Sequence, residues 1–168
     1  IDLLDRMPDG PVPPAAMIIR ARGYVARGQG WRAVEMLEPL IPDEKDPAGW
    51  GLLQTALANA YMATGQFEKV QAVCDAILRH PESPRVAVAI ARGYTTVIAA
   101  NAGSSIATAC EILVELGDDL QRQELPYFAA VSFHNAALGH FARGRYSGAV
   151  SYARRAIDQL ELTAGQPG

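Results

Sequence analysis

The sequence predicts an all-α protein, a solenoid of about four antiparallel helix pairs. Apolar residues recur at helical spacing along most of the chain, and the alternation of apolar and polar residues typical of strands is rare. Glycines that would end helices also return at a nearly constant interval: Gly28, Gly65, Gly103 and Gly144 are separated by 37, 38 and 41 residues. Helix pairs of fixed period bury their apolar faces by stacking on neighbouring pairs.

The first half of the chain contains two predicted repeats after a break. We interpret residues 1–12 as a linker or the end of a preceding element, because the segment MPDGPVPP cannot continue a helix. The predicted repeat domain covers 13–162. Its first repeat, 14–47, has helices over 14–27 and 31–41, and its second, 48–83, has helices over 47–64 and 67–80.

The second half contains two more predicted repeats. In the third, 84–118, Ser83 and Pro84 predict the start of a helix that reaches Asn101. Its partner is predicted over 104–116, with Gly117 and Asp118 as the stop. The fourth repeat, 120–162, has predicted helices over 120–142 and 146–162, followed by a disordered tail at 163–168.

Composition excludes several classes of function. The 168 residues are 49% hydrophobic and 20% charged, as in soluble globular domains. A net charge of −3 gives no electrostatic reason to expect direct nucleic-acid binding. No apolar run approaches the roughly 18 residues that span a bilayer, and no signal peptide is evident, so we expect no membrane contact and a cytoplasmic location. Because the chain begins with Ile1, we expect it to be a fragment of a longer protein.

Nothing in the sequence predicts an enzyme, a cofactor or a metal site. His134 and His140 are six residues apart and therefore lie on different faces of a helix, unlike the histidines of HExxH metal sites. Ser104 and Ser105 fit helix N-caps better than an activated nucleophile. Cys74 and Cys110 lie in apolar helical stretches without metal-ligand spacing.

Two segments share a more detailed pattern. LANAYMATGQFEKVQAVCDAIL, at 57–78, and AALGHFARGRYSGAVSYARRAI, at 136–157, both have a small residue in the first helix, a glycine in the turn and an aromatic residue two positions later. Both then have small or apolar residues at helical steps. The matching positions are Ala58, Tyr61, Gly65, Phe67, Val70, Cys74 and Ile77 in one segment, Ala137, His140, Gly144, Tyr146, Ala149, Ala153 and Ala156 in the other, and Ala21, Tyr24, Gly28, Ala33, Leu37 and Leu40 in the first repeat.

This pattern resembles the tetratricopeptide repeat (TPR) family. Two features depart from it: Val70 stands where the family usually has alanine, and Gly103 is followed by SSIATA without an aromatic residue. The spacing also exceeds the usual 34 residues. Such longer repeats resemble those of large bacterial regulators, including LuxR-type transcriptional regulators. The resemblance implies a right-handed solenoid and a protein-binding module, here the sensor or effector-binding segment of a regulator in signal transduction.

The resemblance also implies a groove lined by the first helix of each repeat. Its occupant would be a protein or peptide partner, or another domain of the same chain; the oligomeric state stays open. A structural scaffold whose surfaces pack within a longer chain is the alternative. The residues that the resemblance places in the groove are Ile18, Arg22, Val25, Asn59, Met62, Val97, Asn101, His134, Leu138 and Phe141.

Overall fold

The computed structural model describes residues 14–42 and 45–164. Within these ranges the chain forms eight α-helices and no strand, which confirms the all-α prediction. Sequence neighbours pack together in the pairs α1 with α2, α3 with α4, and α7 with α8. The helices are α1 (Pro14–Ala26), α2 (Gly30–Leu37), a 3-10 turn (Glu38–Leu40), α3 (Pro47–Ala63), α4 (Phe67–Arg79), α5 (Arg85–Asn101), α6 (Ile106–Arg122), α7 (Pro126–Ala142) and α8 (Tyr146–Ala164).

The four predicted turn glycines all adopt the left-handed conformation, with φ between 69° and 100°. Each turn also has the same pair of hydrogen bonds. In the turn at Gly65, the Gly65 N–H donates to the Met62 carbonyl and the Gln66 N–H donates to the Tyr61 carbonyl, at 3.2 and 2.9 Å. These bonds define the Schellman motif, which satisfies the last carbonyls of a helix. The repeated glycine is therefore a repeated helix terminator.

The predicted stop of the sixth helix at Gly117 and Asp118 is wrong. Helix α6 continues through both residues to Arg122, and α7 begins at Pro126 instead of near Leu120. The turn between them is a fifth Schellman motif, in which Glu124, with φ 57°, takes the glycine position and the Leu125 N–H donates to the Leu120 carbonyl. Gly117 has another role, because a Cβ there would lie 2.4 Å from the Phe133 ring of α7.

Side-chain caps are present at the starts of α3 and α6. The Asp46 carboxylate accepts a hydrogen bond from the Gly49 N–H at 2.7 Å, ahead of Pro47 in the first turn of α3. Ser105 accepts from the Thr108 N–H and caps α6, as its N-cap interpretation predicted. Ser83 acts differently from its predicted N-cap role: its hydroxyl donates to the Ile77 carbonyl at 2.7 Å, at the end of α4.

The helices form two compact units, divided between Ala91 and Arg92 within α5. In the first unit α3 packs against both α1 and α2, and the core is formed by Leu37, Leu53, Val70, Cys74 and Ile77. In the second unit α7 packs against both α6 and α8, with Leu120 and Phe133 fully buried. Alanines at the close helix approaches are buried in both units: Ala21, Ala58 and Ala137.

A polar cluster joins three elements of the first unit. The Tyr61 hydroxyl of α3 donates to Glu38 Oε1, and the Lys69 ammonium of α4 lies 3.2 Å from the same oxygen. Lys69 Nζ also lies 4.9 Å from the centre of the Tyr61 ring. The Tyr61 hydrogen bond, followed by Lys69, lowers the pKa of Glu38 below its ordinary value of 4.5. Burial, followed by the Glu38 contact, raises the pKa of Tyr61.

This cluster predicts a pH-dependent contribution to stability. A carboxyl group whose pKa is lowered by folding stabilises the fold above its unfolded pKa, and that contribution is lost as pH falls through the lower folded value. We expect Glu38→Gln to reduce the free energy of unfolding at pH 7 by at most about 1 kcal/mol, because the Glu38–Lys69 ion pair is partly exposed to solvent. The difference from wild type should shrink below pH 4.5. Urea titrations at several pH values measure it, with Glu68→Gln on the exposed side of α4 as the control.

Candidate functional site: an apolar stripe on α7

Helix α7 has an uncharged, apolar surface that is open to solvent. None of its 17 residues is Asp, Glu, Lys or Arg. Four large side chains on it are exposed by 43 to 62%, and His134, also exposed, lies between them. The spacing from one to the next is four, three, four and three residues, which keeps them on one side of a helix. We call this surface the α7 stripe; it consists of Tyr127, Val131, His134, Leu138 and Phe141.

The remaining sides of α7 are fixed by its neighbours in the second unit. Phe133 of α7, with no exposed surface, contacts Gly117 of α6, and Gly139 of α7 faces Cys110 of α6. Towards α8, the ring of His140 packs against Gly148 and lies 5.1 Å from the Tyr152 ring. Since these contacts use the α6 and α8 sides, the α7 stripe is the side that the helices of this unit leave uncovered.

Exposed apolar residues of α8 extend this surface. The rings of Phe141 and Tyr146 meet edge to face, with centroids 5.6 Å apart, at the turn between α7 and α8. From Tyr146 the exposed positions continue along α8 to Val150 and Ile157, each slightly more than half exposed. We call Tyr146, Val150 and Ile157 the α8 edge. Together the α7 stripe and the α8 edge form one two-helix apolar face.

The predicted groove residues are distributed unevenly. The structure brings His134, Leu138 and Phe141 together on the α7 stripe. The sequence analysis missed Tyr127 and Val131. The spacing of three and four residues back from His134 could have predicted that both lie on the same side of the helix. The other seven predicted residues lie on α1, α3 and α5: Ile18 is buried, Arg22 and Asn101 are exposed, and Val25, Asn59, Met62 and Val97 are half-buried.

A shallow groove of about 410 Å³ lies along α5 and α6 in the second unit. Alanine, serine and threonine residues line most of it, and no ionisable side chain does. Two of its hydroxyl groups, on Thr95 and Thr96, donate to the Arg92 carbonyl at 3.0 and 2.8 Å. The groove therefore offers neither an acid nor a base for chemistry.

Burial favours the thiol form of both cysteines. Burial, with a smaller effect of Asp75, raises the pKa of Cys74 to about 12. Burial also raises the pKa of Cys110. Since the thiolate is the nucleophile, burial disfavours the reactive form of both cysteines. Among residues 14–42 and 45–164, no three His, Cys, Asp or Glu side chains are grouped so as to hold a metal ion, and no helix is long and apolar enough to cross a bilayer.

No protein-family model matches the chain, and no curated protein or solved structure was found to be significantly similar to it. The TPR resemblance therefore depends on the residues quoted above. The geometry itself defines a class of protein. In the described residues it is an all-helical protein in which neighbouring helices pack together, and one helix, α7, has an exposed apolar face without charged residues.

Proposed function

We propose that the chain is a TPR-like protein-interaction module, a right-handed solenoid of antiparallel helix pairs that binds a protein partner through the α7 stripe. The observation that carries this proposal is the exposure of four large apolar side chains on one uncharged helix face. Contiguous apolar surface of this kind marks sites of protein–protein contact in soluble proteins. A partner helix with apolar residues at the same spacing would complement it.

The module is proposed to serve as the sensor or effector-binding segment of a larger bacterial regulator, of the LuxR type, in the cytoplasm. Support for this step comes from the repeats of 37 to 41 residues, which resemble those of such regulators. In that setting, binding at the α7 stripe would be the input that a regulator passes to its other domains. The module itself would make no direct contact with nucleic acid, consistent with its net charge of −3.

A second candidate function, a structural scaffold, is favoured by a comparison of equivalent positions. Counted from the turn glycines Gly28 and Gly144, Ile18 corresponds to His134 and Val34 to Val150. Ile18 and Val34 are each 8% exposed in the first unit, where α3 packs on α1 and α2. A helix stacked on α7 and α8 in the same way would cover the corresponding pair.

The two functions are distinguished by a charged residue on the α7 stripe. Leu138 is 54% exposed, so Leu138→Glu should leave the thermal melting curve nearly unchanged while it places a desolvated charge in any complex. We expect the amount of wild-type partner captured from extracts of the source cells to fall at least tenfold. A tenfold loss of affinity corresponds to about 1.4 kcal/mol of binding free energy. Quantitative mass spectrometry of the captured proteins measures it.

The matched control is Leu78→Glu, at a leucine of α4 that is 41% exposed. It should capture the same proteins as wild type. If Leu138→Glu captures them equally well, the α7 stripe is not the binding surface, and the scaffold function is favoured.

A further inference from the structure

The size of the two-helix apolar face is the first step towards naming its partner. Eight side chains form the face, and most of them expose about half of their surface or more. With about 200 Å² for an aromatic side chain and somewhat less for an aliphatic one, the exposed area is on the order of 700 Å². A single apolar patch on a typical monomer is about 300 to 600 Å², so this face is large for a surface that stays in water.

A stable protein dimer buries about 800 Å² on each partner. The apolar face supplies most of that area, and the polar residues beside it would supply the rest. A twofold dimer uses the same surface on both copies, so the surface must be complementary to itself. The α7 half of the face meets this condition, because α7 has no Asp, Glu, Lys or Arg and two copies of it bring no like charges together.

The charges beside the α8 edge are also compatible with pairing. Arg154, Asp158 and Glu161 are exposed on α8, within two helical turns, and Arg154 lies on the α8 edge itself, four residues after Val150 and three before Ile157. Because both signs are present, twofold pairing can place the basic side chain of one copy opposite an acidic side chain of the other. A row of one sign would instead repel its copy.

We propose that the partner of the two-helix apolar face is a second copy of this chain, bound through a twofold contact of α7 and α8 with α7 and α8 of that copy. This proposal rests on the proposed function, in that the α7 stripe is taken as a protein-docking surface, and it names the occupant. Because Val150 and Ile157 of the α8 edge lie outside the α7 stripe, a substitution there tests the pairing of two copies separately from the proposed function.

The experiment is sedimentation-velocity ultracentrifugation of the 168-residue chain from about 1 to about 100 µM, a range chosen because interfaces of this size bind with micromolar or tighter affinity. We expect the wild-type chain to sediment as a dimer at the upper end. Ile157→Glu should sediment as a monomer throughout, with its helical circular-dichroism spectrum unchanged, since Ile157 is 54% exposed. Ile19→Glu, at a 66% exposed isoleucine of α1, should remain dimeric.

A wild-type chain that is monomeric at every concentration would overturn the pairing, as would an Ile157→Glu variant that dimerises like wild type. Loss of the dimer in both glutamate variants would also overturn it, because α1 is not part of the proposed contact. None of these outcomes refutes the proposed function, which is judged by capture with Leu138→Glu. Conversely, a wild-type dimer that Leu138→Glu and Ile157→Glu both dissociate supports the two together.

Discussion

Gly117→Ala should reduce the free energy of unfolding by about 2 kcal/mol or more, a cost typical of overpacking a filled core. The added methyl group would lie 2.4 Å from Phe133 Cε1 and 2.7 Å from Cδ1. The ring has little room to move, because it is fully buried and the Arg155 guanidinium lies 3.9 Å from its centre. Arg155 is held in turn by a hydrogen bond to Asp118, one residue beyond the glycine.

Gly93→Ala is the matched control, since Gly93 is also a helical glycine of the second unit. A Cβ there would lie 3.5 Å from Leu116 Cδ2, an ordinary contact, and would meet nothing closer. Alanine is favoured over glycine inside a helix, so we expect this variant to gain about 0.5 kcal/mol. Chemical denaturation of both variants measures the difference, and equal free energies of unfolding would contradict the close contact of α6 and α7.

A double variant tests the physical cause. If Gly117→Ala destabilises by contact with the ring, then Phe133→Leu, which removes part of that ring, should relieve some of the cost. The two substitutions together should then cost less than the sum of their separate effects. Additive costs would indicate that Gly117 matters for another reason.

The turns show how much of this fold the sequence could predict. In the described part of the chain, four of the five Schellman turns use glycine. Glycine adopts positive φ without strain, so a glycine that follows an apolar helical segment predicts the end of that helix. The fifth turn uses Glu124, a residue that carries no such signal. Gly117 shows the converse limit: a glycine that permits close helix packing looks the same in sequence as one that ends a helix.

The candidate site was predictable in part for a similar reason. The tetratricopeptide resemblance implied His134, Leu138 and Phe141 as groove residues, and Val131 and Tyr127 continue the same helical spacing along α7. Burial is different, because it depends on which helix packs on top. Ile18 and His134 occupy equivalent positions, yet the first is buried and the second is exposed. Periodicity within one helix identifies a face but not the neighbour that covers it.

Gly65→Val should be the second large effect on stability, at about 2 kcal/mol, mainly through the backbone. Gly65 has φ 72°, a conformation that costs an L-residue about 1 to 2 kcal/mol and a β-branched residue more. A Cβ at this position would meet no atom within 4 Å, so we expect the backbone conformation to account for most of the cost. The free energy of unfolding from urea titration measures the cost.

Gly65→Asn separates the backbone effect from simple loss of glycine. Asparagine tolerates the left-handed conformation better than other residues with a side chain, so this variant should lose well under half of what valine loses. The Schellman hydrogen bonds of Gly65 and Gln66 should then persist, and helix content should stay unchanged. If asparagine and valine destabilise equally, the positive φ is not the cause. The periodic glycines would then need another explanation than helix termination.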